Sequence, residues 1–375
     1  MPARHQPRQK SALAPPSGVS DSEDNFLFTC AAMTTSASLI ATDIDFERVG
    51  FQTGTLRLPW SHDCSAYGHI PIPVAVHNAG AGIGPTVLLT GGNHGDEYEG
   101  PVALMKLLQR LPSLTIRGRL IVIPGLNFPA FINGSRTSPI DHGNLNRLFP
   151  GAHNGQPTEM IAHYVETELL PRADVVVDLH AGGASFDHLP TLLASPPDQG
   201  EQRGARRALY MDLVREFGAP NTMIMDLLGE DRTLAAAAER HGKLFLCGEF
   251  GGHAGCDGAN LAIVEAGLQR VLHRLGMTSD AHTAPGAQRT RFLRVQGAHH
   301  YVYSPHAGVF EPMFALGDEV RAGQLAGRLF DPHRPWQPPE EIPFRGDGMV
   351  MCIRTFARVE PGDCIALLAS QANID

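Results

Sequence analysis

Four short runs of the chain are continuously apolar, and each ends in a polar or glycine-rich turn. They are Thr86–Thr90 (TVLLT) before GGNHGDE, Leu120–Ile123 (LIVI) before PGLN, Ala173–Leu179 (ADVVVDL) before HAGG, and Lys243–Cys247 (KLFLC) before GEFGG. Runs rich in Val, Ile and Leu without alternation predict strands covered on both faces. Between them the spacing changes to a helical one. Gly100–Leu111 places Val102, Leu104, Met105, Leu108 and Leu111 near a 3.6-residue repeat, and Thr158–Leu170 does likewise. Strands alternating with helices predict an α/β fold: a mixed, mostly parallel sheet with helices on both faces.

After about Leu275 the pattern shifts. Ser279–Gln288 is polar with Pro and Gly, and from Thr290 onward short alternating segments replace helices. Gly308–Phe330 and Gly348–Leu368 form a weak repeat, each with a Gly-Asp turn (Gly317-Asp318, Gly362-Asp363) before a strand. Two such halves predict a small β-barrel-like unit with pseudo-twofold symmetry, similar in architecture to a lipoyl or biotinyl carrier. A carrier needs a lysine, and none lies between Arg291 and Asp375. The expected organisation is a disordered tail over residues 1–42, a catalytic domain over 43–280 and a β-rich domain over 290–375. The tail is rich in Ser, Ala, Pro and Thr without the apolar stretch of a signal peptide, and Met33 offers a later start.

Composition narrows the function. A formal net charge of −9 argues against nucleic-acid or anionic membrane surfaces. No apolar run nears the ~20 residues that span a bilayer. The six cysteines are scattered without a CxxC pair, which fits reduced thiols and a cytoplasmic setting.

The chemistry gathers at the strand ends, where open α/β sheets build their sites. His94 and Glu97, three apart in GGNHGDE, can reach one ion, and an imidazole with a carboxylate suits Zn²⁺. A bare HxxE is common; its place after a buried strand raises its weight. His180 in DLHAGG supplies a third ligand, although a lone histidine there would read as a satisfied core residue. Asp178 either orients a ligand or caps a turn. Glu249 in GEFGG is the natural general base, since an unpaired buried carboxylate is otherwise costly. Asn146 and Arg147, in a long loop after LIVI, suit a substrate α-carboxylate. Arg136 reads equally as a third substrate residue or as an arginine tied to backbone carbonyls. His299, His300 and His306 read as surface or turn histidines rather than a second metal site. There is no GxSxG and no Walker-type loop, and GAGIG (Gly80–Gly84) precedes a strand, against a dinucleotide fingerprint.

GGNHGDE, NLNR, DLH and GEFGG, in this order and spacing over about Gly50 to Leu275, resemble the succinylglutamate desuccinylase/aspartoacylase family. The resemblance implies a zinc-carboxypeptidase-like catalytic domain followed by a β-domain and one Zn²⁺ per chain on His94, Glu97 and His180. It also implies Glu249 in acid/base work, and Asn146, Arg147 and Arg136 on substrate. Asn144 stands where the aspartoacylase pattern has aspartate. Longer stretches such as RTSPIDHGNLNRLFPG are most similar to members that deacetylate N2-acetyl-L-2,4-diaminobutyrate in ectoine degradation. A small N-acyl amino acid is then the expected substrate and a homo-oligomer is compatible with the sequence. The side-chain ammonium would seek a partner among Asp226, Glu230 and Asp231. The rival readings are an aspartoacylase- or desuccinylase-type deacylase, a carboxypeptidase-like peptidase and a metal-binding regulatory protein, the last disfavoured by Glu249.

Overall fold

A computed structural model describes residues 38–80, 84–197, 203–225, 230–279 and 289–373. The first part of the chain contains β1 (Ala41–Thr42), β2 (Gly50–Pro59), β3 (His69–Asn78), β4 (Thr86–Gly91), α1 (Glu99–Arg110), β5 (Arg119–Ile123) and α2 (Phe128–Asn133). It continues through α3 (Pro157–Tyr164), β6 (Val175–His180), β7 (Phe186–Ala194), α4 (Arg203–Phe217), β8 (Asn221–Ile224), α5 (Leu234–Arg240), β9 (Leu244–Gly252) and α6 (Gly258–Arg274). The last part is almost wholly β: β10 (Arg291–Arg294), β11 (Tyr301–Tyr303), β12 (Gly308–Pro312), β13 (Glu319–Val320), β14 (Leu325–Phe330), β15 (Glu340–Pro343), β16 (Gly348–Arg354), β17 (Arg358–Val359) and β18 (Cys364–Gln371).

The centre of the sheet is parallel, in the order β5-β4-β6-β9, with antiparallel β3 on one side and antiparallel β7 on the other. Alternate residues of the apolar runs face opposite cores. Val87, Leu89, Val175 and Val177 pack under α1, α4 and α6, while Leu88, Ile121 and Val176 pack under α3 and α5. Such a strand must be apolar at every position, which is the pattern the sequence shows. In α1 the buried stripe is Ala103, Leu104, Leu107 and Leu111, and Met105 of the expected stripe is 39% exposed. The helix beginning at Pro157 is regular only to Tyr164, then widens into a π-turn over Val165–Leu169.

Residues 1–37 of the expected tail lie outside the described residues, but its end is ordered. Ala41 and Thr42 pair with Arg57 and Leu56, and Ile40 and Ile44 are buried.

The C-terminal strands make the expected barrel-like unit, and one of its sheets is continuous with the main one. β10 runs parallel to β8, β16 pairs with β7, and the result is one 14-stranded sheet. β12, β14, β15 and β17 make a separate 4-stranded sheet. The repeat is visible as an exchange: β13 of the first half pairs with β16 of the second, and β17 of the second with β12 of the first. Gly317 and Gly362 hold matching left-handed turns at φ 90° and 86°. Among the described residues, no helix is long and apolar enough to cross a membrane.

Candidate active site

The turn after β4 carries His94 and Glu97 across the carboxyl ends of the parallel strands. It lies so close to α2 that a Cβ on Gly95 would sit 2.0 Å from the Ala130 carbonyl carbon. Only glycine fits, and its presence brings His94 down to the sheet. His180 is the last residue of β6, and all three side chains are buried. Glu97 bridges the two imidazoles, with Oε1 2.7 Å from His94 Nδ1 and Oε2 2.9 Å from His180 Nδ1. One ligand atom from each of the three lies within 4.8 Å of the others.

Each imidazole is held from behind. His180 Nε2 is 2.7 Å from Asp178 Oδ2, and His94 Nε2 is 3.2 Å from Asn144 Oδ1. Both Nδ1 atoms therefore face one point, as expected when outer partners fix metal-binding histidines. Asp178 also accepts from Thr90 Oγ1 (2.7 Å) and Asn93 Nδ2 (3.0 Å), so it orients His180 and does not cap a turn. Electrostatics ask for a cation at the same point. Burial favours a neutral His180, yet the carboxylates of Asp178 and Glu97 outweigh it and raise its pKa well above the ordinary value. Burial likewise opposes charge on Glu97, and the two imidazoles reverse that, holding it well below the carboxylate range. Two imidazoles, one carboxylate and this field fit a divalent ion. It is the only such cluster among the described residues.

Glu249 stands beside His180 in the parallel register of β6 and β9. Its Oε2 is enclosed without a hydrogen-bond partner, and burial, reinforced by the charge of Glu97, pushes its pKa up to about 8. Arg136 is not tied to backbone carbonyls. Its guanidinium Nη1 overhangs the cluster, 3.5 Å from Glu97 Oε1 and 3.4 Å from His94 Nδ1, with its side chain 45% exposed.

The other expected substrate residues sit on a turn at the rim. Asn146 Oδ1 accepts from Leu234 N at the start of α5 (3.0 Å), and Asn146 N donates to Asn144 Oδ1 (3.1 Å). Arg147 donates to the Asn146 carbonyl (2.6 Å) and lies 3.8 Å from Glu230 Oε2. Neither side chain contacts His94, Glu97 or His180. Of the acids considered for an ammonium, Asp226 lies outside the described residues. Glu230 is held at both oxygens by Arg232, which lowers its pKa to about 2. The Asp231 carbonyl accepts from Arg240 (2.6 Å). His300, buried in a short turn, accepts from Gln296 N and bonds Ser370, and the half-exposed His306 bonds Glu340.

One residue escaped the sequence reading, His188, and a second, Asn144, is noted there only for its place in the motif. Asn144 contacts His94, a candidate metal ligand. His188 of β7 feels the charges of Glu97 and Arg136; a histidine inside an undistinguished strand carries no local signal.

The chain is similar in sequence and fold to known proteins. Residues 83–275 match the succinylglutamate desuccinylase/aspartoacylase catalytic domain. The N-alpha-acetyl-L-2,4-diaminobutyric acid deacetylase of Halomonas elongata is 43% identical over 332 residues, 88% of this chain and 95% of that protein. The product-bound ectoine utilization protein EutE (DoeB) of Ruegeria pomeroyi superposes with TM-score 0.83 at 37% identity, covering 89% of this chain and 99% of that one. A succinylglutamate desuccinylase/aspartoacylase from Rhodobacter sphaeroides gives TM-score 0.83 at 36% identity, over 90% and 100%. With this family match and this likeness in sequence and fold over most of both chains, the chain belongs to the succinylglutamate desuccinylase/aspartoacylase family.

Proposed function

We propose that the chain hydrolyses the amide of N2-acetyl-L-2,4-diaminobutyrate, releasing acetate and L-2,4-diaminobutyrate, with one Zn²⁺ held by His94, Glu97 and His180. The observation that carries the reading is the unpartnered Glu249 carboxyl fixed beside a buried His-Glu-His cluster. The likeness to the Halomonas elongata deacetylase over most of both chains supports the substrate. We read the fold as zinc-carboxypeptidase-like, with residues 43–280 carrying the chemistry and 290–375 walling the pocket. The unpaired thiols fit a cytoplasmic enzyme.

A bound zinc ion would supply Lewis acidity at the scissile carbonyl and ease deprotonation of a water. Glu249 Oε2 takes a proton from the attacking water and carries it to the departing nitrogen, so that one carboxyl serves as base and then as acid. The Arg136 guanidinium faces the cluster and meets the negative charge that develops on the carbonyl oxygen. Arg147, half exposed and beyond hydrogen-bond distance of Glu230, takes the α-carboxylate with help from Asn146. That carboxylate is one carbon from the amide nitrogen, so a clamp on it places the carbonyl over the cluster.

The test is a comparison of kcat/KM for N2-acetyl-diaminobutyrate, N-acetyl-aspartate, N-succinyl-glutamate and short peptides with purified zinc-loaded enzyme. The diaminobutyrate derivative is expected to lead. A higher value for either dicarboxylic substrate would move the chain to an aspartoacylase- or desuccinylase-type activity, and one for peptides to a peptidase. No turnover of any of them would leave the regulatory reading.

A further inference from the structure

The site has an imidazole with no assigned task. His188 lies opposite Gly251 of β9 on one side and Cys352 of β16 on the other. Residues opposed in an antiparallel pair share a sheet face. The β7–β9 ladder shifts register between His188 and Thr191, which lies opposite Glu249, and Gly251 is at φ 82°, so the ring is placed by its neighbours and not by strand alternation. The charges that reach His188 are those of Glu97 and Arg136, which overhang the same space. The body of the ring is fixed. A Cβ on Gly182 would meet its Cδ2 at 3.0 Å, and the Phe186 ring lies at 6.1 Å between centroids. Neither ring nitrogen has a hydrogen-bond partner among the described residues; nearby, Asn93 Oδ1 and Asp96 Oδ1 also lack one, and both are sealed from solvent.

A substrate with a free side-chain ammonium needs an acceptor it can reach, and most acids near the cluster are already engaged or sealed from solvent. Asp178 is occupied by His180, Thr90 and Asn93, and Glu230 by Arg232. Asp96 Oδ2 accepts from Ala184 N, while its Oδ1, like Glu99 Oε2, is sealed from solvent without a partner; Asp187 Oδ2 bonds His253, and Asp231 is exposed at the surface. Arg136 and Arg147 suit an anion and repel an ammonium. A neutral imidazole offers a lone pair without adding charge beside Glu97 and Glu249, and burial keeps His188 neutral by holding its pKa down at about 4.

We propose that His188 determines specificity by touching substrate: one ring nitrogen accepts a hydrogen bond from the side-chain ammonium of the acetylated diamino acid. The proposal rests on the substrate reading above. N-acetyl-norvaline separates the two, because it has the same side-chain length with a methyl group in place of the ammonium. In the zinc-loaded full chain, His188→Leu should lower kcat/KM for N2-acetyl-diaminobutyrate on the order of tenfold to a hundredfold while N-acetyl-norvaline is unchanged or improved. His188→Gln, which keeps an acceptor, should recover part of the loss. Binding of free 2,4-diaminobutyrate, measured by calorimetry, should weaken by a similar factor in the leucine variant. An equal loss for both substrates, or no loss for either, overturns the proposal while leaving the activity intact. A wild-type enzyme that fails to cleave N2-acetyl-diaminobutyrate overturns the substrate reading, and this inference with it.

Discussion

His180 and Glu249 are direct neighbours across the β6–β9 register, so a candidate metal ligand and the candidate base are spaced by backbone hydrogen bonds. Neither depends on a loop for its position. Glu249→Gln should therefore keep the fold and full metal content while kcat drops by about 10²–10⁴, the scale of lost acid/base catalysis. Metal analysis beside steady-state kinetics checks it. Loss of metal from this variant would place Glu249 among the ligands.

The metal set makes a complementary prediction. His94→Ala and His180→Ala should each abolish bound zinc and activity together, since two remaining donors form too weak a site. Stoichiometric zinc with normal turnover in either variant would dismiss the assignment.

Asp178 and Asn144 hold the far nitrogens of the two histidines, one with a carboxylate and one with an amide. Asp178→Asn should weaken zinc affinity about 10- to 100-fold by competition with a chelator. Asn144→Asp places a carboxylate behind His94 as well, and the expected outcome is tighter zinc. Asn144→Ala should loosen zinc and also raise KM, because the same oxygen accepts from Asn146 N and shapes the turn bearing Arg147.

Asp141 fastens that loop to the start of α3, accepting from Thr158 N (2.7 Å), Thr158 Oγ1 (2.8 Å) and Gly143 N (3.1 Å). Burial would raise its pKa, but these donors prevail and lower it below 3.8. A depressed carboxylate stabilises the fold above its unfolded value and ceases to do so as pH falls through the folded one. Asp141→Asn should cost ~1–2 kcal/mol at pH 7, with the difference from wild type closing below about pH 4. Urea titrations at several pH values measure this, and a difference that grew in acid would contradict it.

Besides the β16–β7 pairing, a loop of the C-terminal region reaches the segment beside the site. Thr355 N donates to Ser185 O (3.0 Å) and its hydroxyl bonds the Ala184 carbonyl, in the segment just beyond His180. Thr355→Val should leave zinc bound and lower kcat/KM severalfold by freeing that segment. A chain ending near Leu275 should fare much worse, since β7 and β8 lose β16 and β10 and expose sheet edges. Soluble, active enzyme from that truncation would refute the structural role.

The parallel core and its chemistry were legible because a strand covered on both faces announces itself by composition, and because GGNHGDE, DLH and GEFGG each follow such a strand. Other parts were not. In β3 Pro71 and Pro73 interrupt the apolar pattern, and in β7 Pro190 does the same. His188 was lost with β7. The pattern around β10 and β16 correctly reads as β, but no local signal names a strand's neighbour. That they also extend the main sheet depends on the open edges of β7 and β8, which arise only once the sheet is assembled. Asn144 looked like a substrate determinant because its motif neighbours do; its partner, His94, is fifty positions away.

The exchange of β13 and β17 between the two C-terminal halves has a topological result. Each half on its own presents a first strand missing its neighbour and a short strand with nothing to lie against. Neither could be inherited, deleted or expressed singly as a stable piece. A circular permutant opened between Phe330 and Glu340 would sever the connection between them yet retain both exchanges. The region is thus indivisible in space although divisible along the chain.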